Sequence, residues 1–228
     1  MTSPDATRRR STRDRPAKPP LSERAVIDAG MRVLRAEGLD AVTMRRVAPE
    51  LDTGAASLYV YVGGRDELLR LLFDEVAGTV ELPPLDAPRW REQIRELCLA
   101  MLEALQAHPG IARVALAEPP FGPRAMLGAE RMMALLLAGG VEPRDAAWAL
   151  DALFLLITAN AVEVEVRRER ESAGDPPPYD PESVTRFFAA LPADRYPTLV
   201  EHRAVMAGGD RRQRFSFQID TFLDGLVR

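Results

Sequence analysis

The sequence predicts an all-α protein, built as a small N-terminal helical domain followed by a larger helical one. Three observations carry that prediction. Apolar residues recur at i, i+3, i+4 and i+7 through most of the chain, the spacing of one helix face. Gly and Pro fall mainly between those segments and rarely within them. The one stretch that reads like a strand, Leu58-Tyr59-Val60-Tyr61-Val62, has no comparable run nearby to pair with, and a lone strand is not stable.

Residues 1–20 are rich in Arg, Pro and Ser and lack periodicity, which predicts a disordered basic arm. A helix is expected over about 22–37, with Ser22 as N-cap, Glu23 in its first turn, and Val26, Gly30, Val33 and Leu34 on one face. Gly38 supplies its C-terminal stop. Met44, Val47, Ala48 and Leu51 then form a second helical stripe behind Thr43, a fair N-cap. Asp52-Thr53-Gly54 reads as a turn. Ala55, Leu58 and Val62 repeat at i, i+3 and i+7, so the strand-like letters coil and turn Ala56, Ser57, Val60 and the two tyrosines outward. Gly63-Gly64 breaks the chain before a helix that starts at Arg65 or Asp66 and runs to about 80. "ELPPLDAP" ends it, so the domains are expected at 21–82 and 83–228.

The second domain shows only helical patterns, at about 88–107, 110–117, 123–138, 143–171, 181–190, 197–206 and 210–227. The segment "AAWALDALFLLITANAVEVEV" is apolar nearly all round, which predicts burial on several sides. The net charge is −4, yet residues 1–80 carry 13 Arg and Lys against 12 Asp and Glu, while 81–228 carry 17 against 22. The single Cys98 excludes an intramolecular disulfide and is expected to pack as a small apolar group. No uninterrupted apolar run approaches the roughly 18 residues that span a bilayer, and nothing apolar follows the basic N-terminus as in a secretory signal. A cytoplasmic protein with no membrane partner is the expectation.

Two short helices joined by a tight turn and flanked by helices make a helix-turn-helix, whose second helix fits the major groove of DNA. "AVIDAGMRVLRAEGLDAVTMRRVAPELDTGAASLYVYVGGRDELL", residues 25–69, resembles the tetracycline-repressor (TetR/AcrR) family without a gap. The shared pattern is a helix ending in Glu-Gly-Leu, then Thr-x-Arg-x-Val-Ala, a turn, Ser-Leu-Tyr, and a basic residue opening the next helix. The resemblance implies phosphate contacts by Thr43, Tyr59, Tyr61 and Arg65, and base contacts by Arg45, Ala55, Ala56, Ser57 and Val60. Thr53 and Ser57 are the main hydrogen-bonding side chains of the recognition segment, so thymine-methyl contacts and DNA shape must contribute. Each role has a plainer rival: a solvated charge for Arg45, core packing for Tyr59, an ion pair with Asp66 for Arg65. Four departures stand out, one of them Arg65 in place of a common Lys. Pro49 sits inside the first helix of the motif, where it should remove a hydrogen bond and bend the helix. Asp52 replaces a usual Gly, and Tyr61 a common His.

A palindromic operator calls for a homodimer. The family layout agrees with an interface built from the helices at 143–171 and 210–227, with Phe215, Ile219, Phe222, Leu223 and Leu226 on one face of the latter. The central helices would enclose a small-molecule effector, with Met101, Leu105, Leu116, Phe121, Met126, Met133, Trp148, Asp151 and Phe154 as candidate lining. Asp151, Thr158 and Asn160 are polar in an apolar helix and need partners, either across subunits or on a ligand. No His stands in "GIARVALAEPP" where the tetracycline repressors hold Mg²⁺, so neither metal nor any cofactor is expected. The expected function is a repressor released from DNA by a small, largely apolar effector. The rivals are a ligand-dependent activator of the same fold and a helical adaptor that does not bind DNA. An enzyme lacks support, because His108 and His202 have no obvious catalytic partners.

Overall fold

The computed structural model describes residues 20–117, 122–174 and 181–226, all helix, turn or loop. The arm expected over 1–20 lies, save Pro20, outside the described residues, as does Phe121. Twelve α-helices are described. The N-terminal set is α1 (Glu23–Glu37), α2 (Met44–Val47), α3 (Ala55–Leu58) and α4 (Arg65–Ala77). The rest are α5 (Trp90–Gln106), α6 (Ile111–Ala117), α7 (Pro123–Ala138), α8 (Pro143–Ser172), α9 (Pro181–Ala189), α10 (Pro197–Glu201), α11 (Arg203–Ala207) and α12 (Arg211–Leu226).

Local chemistry sets the N-terminal boundaries. Ser22 Oγ accepts the Ala25 N–H at 3.2 Å and starts α1, and Thr43 Oγ1 accepts the Arg46 N–H at 3.1 Å and starts α2. Gly38 takes φ +84° at the end of α1. Gly30 lets α4 lie close, since a Cβ there would meet Leu68 and Leu72. Val26, Val33, Leu34, Val47, Leu58, Val62, Leu68 and Leu72 are buried together in one core.

Pro49 does not break the motif. The chain changes pitch at Ala48, and Ala48–Leu51 continues as a 3₁₀ turn with Pro49 in its first turn, where the missing N–H is tolerated. Pro49→Ala is therefore expected to change unfolding free energy by less than about 1 kcal/mol, far short of the ~3 kcal/mol of a regular helix interior. Denaturant titration checks this.

In the second domain α5, α6, α7 and α8 pack on one another, and α4 reaches into them to touch α5, α6 and α7. Phe73 of α4 meets Phe154 of α8 edge-on, with centroids 6.4 Å apart. Cys98 is buried, and burial pushes its thiol up to about 12. By length and composition alone α8 is apolar enough over 18 residues to cross a membrane, which the reading of uninterrupted runs missed; here it packs on α5, α6, α7 and α12. The expected 197–206 helix is two short ones, α10 and α11.

Candidate nucleic-acid interface and sensor core

The strand-like letters coil. After α3 the Tyr61 and Val62 N–H groups both donate to Leu58 O at 3.0 Å, so the turn extends the helix by three residues. Leu58 and Val62 plug the core, and the opposite side emerges: Val60 is 79% exposed, and Ala56, Ser57 and Tyr59 are exposed beside it. Ala55 and Tyr61 are half-buried against the core, and Thr53 is half-buried in the turn. Asp52 adopts φ +46°, the left-handed region. That explains why glycine is usual there, and Asp is among the residues that tolerate it.

The two neighbouring arginines of α2 differ. Arg46 is held inside the domain: its guanidinium donates to the Glu37 carboxylate and, at 3.0 Å, to Glu50. These carboxylates hold Arg46 above its ordinary value. Arg45 is exposed and forms no ion pair among the described residues. It is the cation that α2 leaves for an outside anion. Arg65 is not the surface partner of Asp66. Its Nε donates to Val42 O at 2.8 Å and its Nη2 to Leu39 O at 3.3 Å, clamping the start of α4 to the segment leading into α2. Sequence reasoning missed this clamp because the acceptors are backbone carbonyls 23 and 26 residues away.

The proposed effector lining scatters. Leu105 is buried, and Met101, Met133 and Phe154 are half-buried against the core. Leu116 and Met126 are exposed. Trp148 (66% exposed), Asp151 and Leu155 follow one another at i, i+3 and i+7 along the outer side of α8. Trp148 and Asp151 are thus surface residues of the subunit, a correction to their place as lining: α8 is apolar on both sides, and periodicity does not say which side faces in. Thr158 donates to Phe154 O at 2.8 Å, and Asn160 to Leu156 O at 2.8 Å and Gln218 at 3.2 Å, so both find partners within the subunit.

The face of α12 needs the same correction. Phe215, Ile219 and Leu223 are buried in the subunit's own core, against α5 and α8. Arg95 pins that packing by donating to Asp220 at 2.8 Å, and Arg91 to Asp224 at 2.7 Å. Phe222 and Leu226 remain half-buried, and Phe217, not singled out from the sequence, is 70% exposed.

A cavity of about 370 Å³ opens where α5, α6 and α8 meet, lined by Leu105, Ala112, Ala161, Val164, Glu165 and Arg168 among others. Only Leu105 of these was expected from the sequence. Burial pushes the Glu165 carboxyl up, opposed by Arg113 and by the Gly110 N–H it accepts. Among the described residues no cluster of His, Cys, Asp and Glu is placed to hold a metal.

Residues 26–72 match the family described as bacterial regulatory proteins, tetR family, and residues 82–228 match the tetracyclin repressor-like C-terminal domain. The chain belongs to the TetR family. Among its relatives is the HTH-type transcriptional repressor DrrR1 of Streptomyces coeruleorubidus, 31% identical over 92% of this chain and 78% of that one. The class G tetracycline repressor of Vibrio anguillarum is 26% identical over 91% of this chain and 94% of that one. The Streptomyces coelicolor TetR family protein ActR, solved in complex with actinorhodin, superposes with a TM-score of 0.81 at 39% identity, covering 91% of this chain and 96% of ActR. As a TetR-family member the protein is a ligand-responsive, DNA-binding transcriptional regulator, and the family is one of regulators rather than enzymes. TetR-family regulators are soluble proteins that bind DNA and small molecules and dimerise.

Proposed function

We propose that the protein is a homodimeric cytoplasmic repressor, seated on a palindromic operator and released from it by a small, largely apolar effector. The observation that carries the reading is the exposed ridge of Ala56, Ser57, Tyr59 and Val60 beside the unpaired Arg45. A ridge of small and apolar side chains next to one free guanidinium suits a major groove rich in thymine methyls and phosphates. Thr43, Thr53, Ala55, Tyr61 and Arg65 flank it; Arg65 sets the angle of the motif as well as adding charge. The unit 21–82 reads DNA and 83–228 senses and dimerises. The large apolar residues left exposed on α8 and α12, Trp148, Leu155 and Phe217, are offered to the second copy. The repressor relatives, and ActR with its bound actinorhodin, support release by a small molecule.

The logic is linkage: an effector that prefers the wrong spacing of the two reading heads weakens DNA binding by the factor that DNA weakens effector binding. A salt titration of binding to a palindromic genomic fragment tests the reading. Affinity should fall steeply with salt, and Arg45→Ala should flatten the log–log slope by about one ion and weaken binding by roughly 1–3 kcal/mol if it reads a base. A chain indifferent to every genomic fragment would instead be an adaptor.

A further inference from the structure

The cavity between α8 and the α5–α6 corner, about 370 Å³, has the size of a small-molecule site. Its α8 wall is a single helical face: Ala161, Val164, Glu165, Arg168, Glu169 and Ser172. Leu105, Pro109 and Ala112 face it from the corner. The depths are apolar, since Leu105, Ala112 and Ala161 are buried and Val164 is half-buried. One ionisable group is buried with them. Glu165 is only 9% exposed, whereas Arg168 and Glu169 are exposed at the rim.

The rim charges are already engaged. Arg168 donates Nη1 to Gln106 O at 2.9 Å, and Arg113 donates Nη2 to both Glu169 oxygens at 2.9 Å. Glu165 is less well served. A carboxylate has room for about four hydrogen bonds. This one accepts the Gly110 N–H, and the Arg113 Nε lies 3.7 Å away, beyond hydrogen-bond length. A buried carboxylate so thinly compensated is costly, and burial pushes the Glu165 carboxyl up accordingly. A guest that offsets this cost must bring a hydrogen-bond donor, best a cationic one, because charge-assisted bonds are the strong ones. It must also bring apolar surface to fill the depths.

We propose that this cavity takes an apolar amine, its rings against Leu105, Ala112, Ala161 and Val164 and its protonated nitrogen on the Glu165 carboxylate. The proposal rests on the reading of the second domain as an effector sensor and gives that effector a seat and a chemical class. An anion in the same seat would face two carboxylates, while Arg168 is turned to Gln106. The seat also reaches the reading head. Pro109 lines the cavity, and the next residue, Gly110, lies against Leu39. Arg113, beside Glu165, feels the pull of Asp40. Leu39 and Asp40 belong to the segment between α1 and α2, whose Leu39 carbonyl Arg65 holds. An ammonium on Glu165 competes with the Gly110 N–H and with Arg113 for one carboxylate, so filling the cavity shifts the corner on which the reading head rests.

The test reads ligand binding without DNA, so failure of the operator reading would leave it standing. Benzylamine and 1-naphthylmethylamine, each beside its neutral alcohol and the acetate of the same ring, are titrated into the full-length protein by calorimetry. At least one amine is expected to bind about ten-fold or more tighter than its alcohol, the worth of one charge-assisted hydrogen bond, with the acetate weakest. Glu165→Gln keeps the shape and should remove the preference for the amine while the alcohol still binds. Val164→Phe, at a half-buried place on the wall, should block amine and alcohol alike, and it decides the matter if Glu165→Gln does not fold. On a palindromic fragment, the amine should weaken DNA binding by wild type and not by Glu165→Gln. The proposal is overturned if neither amine binds, if the alcohol or acetate binds as tightly, if the preference survives Glu165→Gln, or if Val164→Phe leaves amine binding intact. An amine that binds through Glu165 and leaves DNA affinity unchanged would overturn the coupling through Gly110.

Discussion

Asp74→Ala is expected to lower unfolding free energy by roughly 2–4 kcal/mol and to blunt the response of operator binding to effector. Asp74 lies on α4 and is only 3% exposed. Its Oδ1 accepts the N–H groups of Arg124 and Ala125, both at 2.9 Å, which are among the first N–H groups of α7. Every helix begins with N–H groups that lack an intrahelical partner, and the residue at the N-cap of α7, Gly122, has no side chain to satisfy them. The cap is supplied from another helix. Gly122 is required for the same reason, since a Cβ there would run into the Asp74 carboxylate. Removing the carboxylate orphans two N–H groups at about 1–3 kcal/mol each when they stay shielded, less whatever water recovers. The functional loss is separate. Asp74 fastens α7 to the helix that carries the reading head, beside the Glu75–Arg124 ion pair, so without it an effector displacing α7 would pull on α4 less firmly. Denaturant unfolding gives the first number, and fragment binding with and without effector the second. Asp74→Asn keeps one acceptor oxygen and should fall between Ala and wild type in both. Wild-type stability together with undiminished effector response in Asp74→Ala would refute the fastening.

The trans cap also shows where sequence reading stops. Helix limits were legible because their causes are local: Ser22 and Thr43 cap their own helices, and Gly and Pro end others. The coil at Leu58–Val62 was legible because its apolar residues keep helical spacing despite their β-branched and aromatic character. Asp74 gave no such signal, since its partners stand about fifty residues away. The clue was negative: "FGP" before α7 holds none of the usual capping side chains, so the cap had to come from elsewhere. The two apolar helices failed for another reason. On α8 and α12 more than one side is apolar, and periodicity does not rank them. Packing put Phe215, Ile219 and Leu223 inside and left Trp148 and Phe217 out. The cavity beside Glu165 was missed because its α8 wall, from Ala161 to Ser172, mixes charged with apolar residues, and its other wall is the corner between α5 and α6.

Gly110→Val is expected to weaken operator binding ten-fold or more, although the residue touches no part of the reading ridge. Gly110 immediately precedes α6 and takes φ +92°, a conformation that a β-branched residue adopts only under strain. A Cβ there would also collide with Leu39. Leu39 belongs to the N-terminal domain, and its carbonyl is one of the two that Arg65 clamps. On the other side the Gly110 N–H is accepted by Glu165, which borders the 370 Å³ cavity. Gly110 is therefore a point where the sensor domain bears on the reading head, its bare backbone lying against the Leu39 side chain. Forcing bulk into it must push Leu39 away, tilt the Arg65 clamp, or unwind the start of α6, and the first two re-aim α3. Strain and collision together should cost about 2–4 kcal/mol of stability, which denaturant titration reads. Leu39→Ala in the Gly110→Val background separates the routes: if the collision with Leu39 is what misdirects the head, making room there restores much of the operator affinity while the backbone strain, and so part of the stability loss, remains. A double variant that binds DNA no better than Gly110→Val would place the damage in α6 itself.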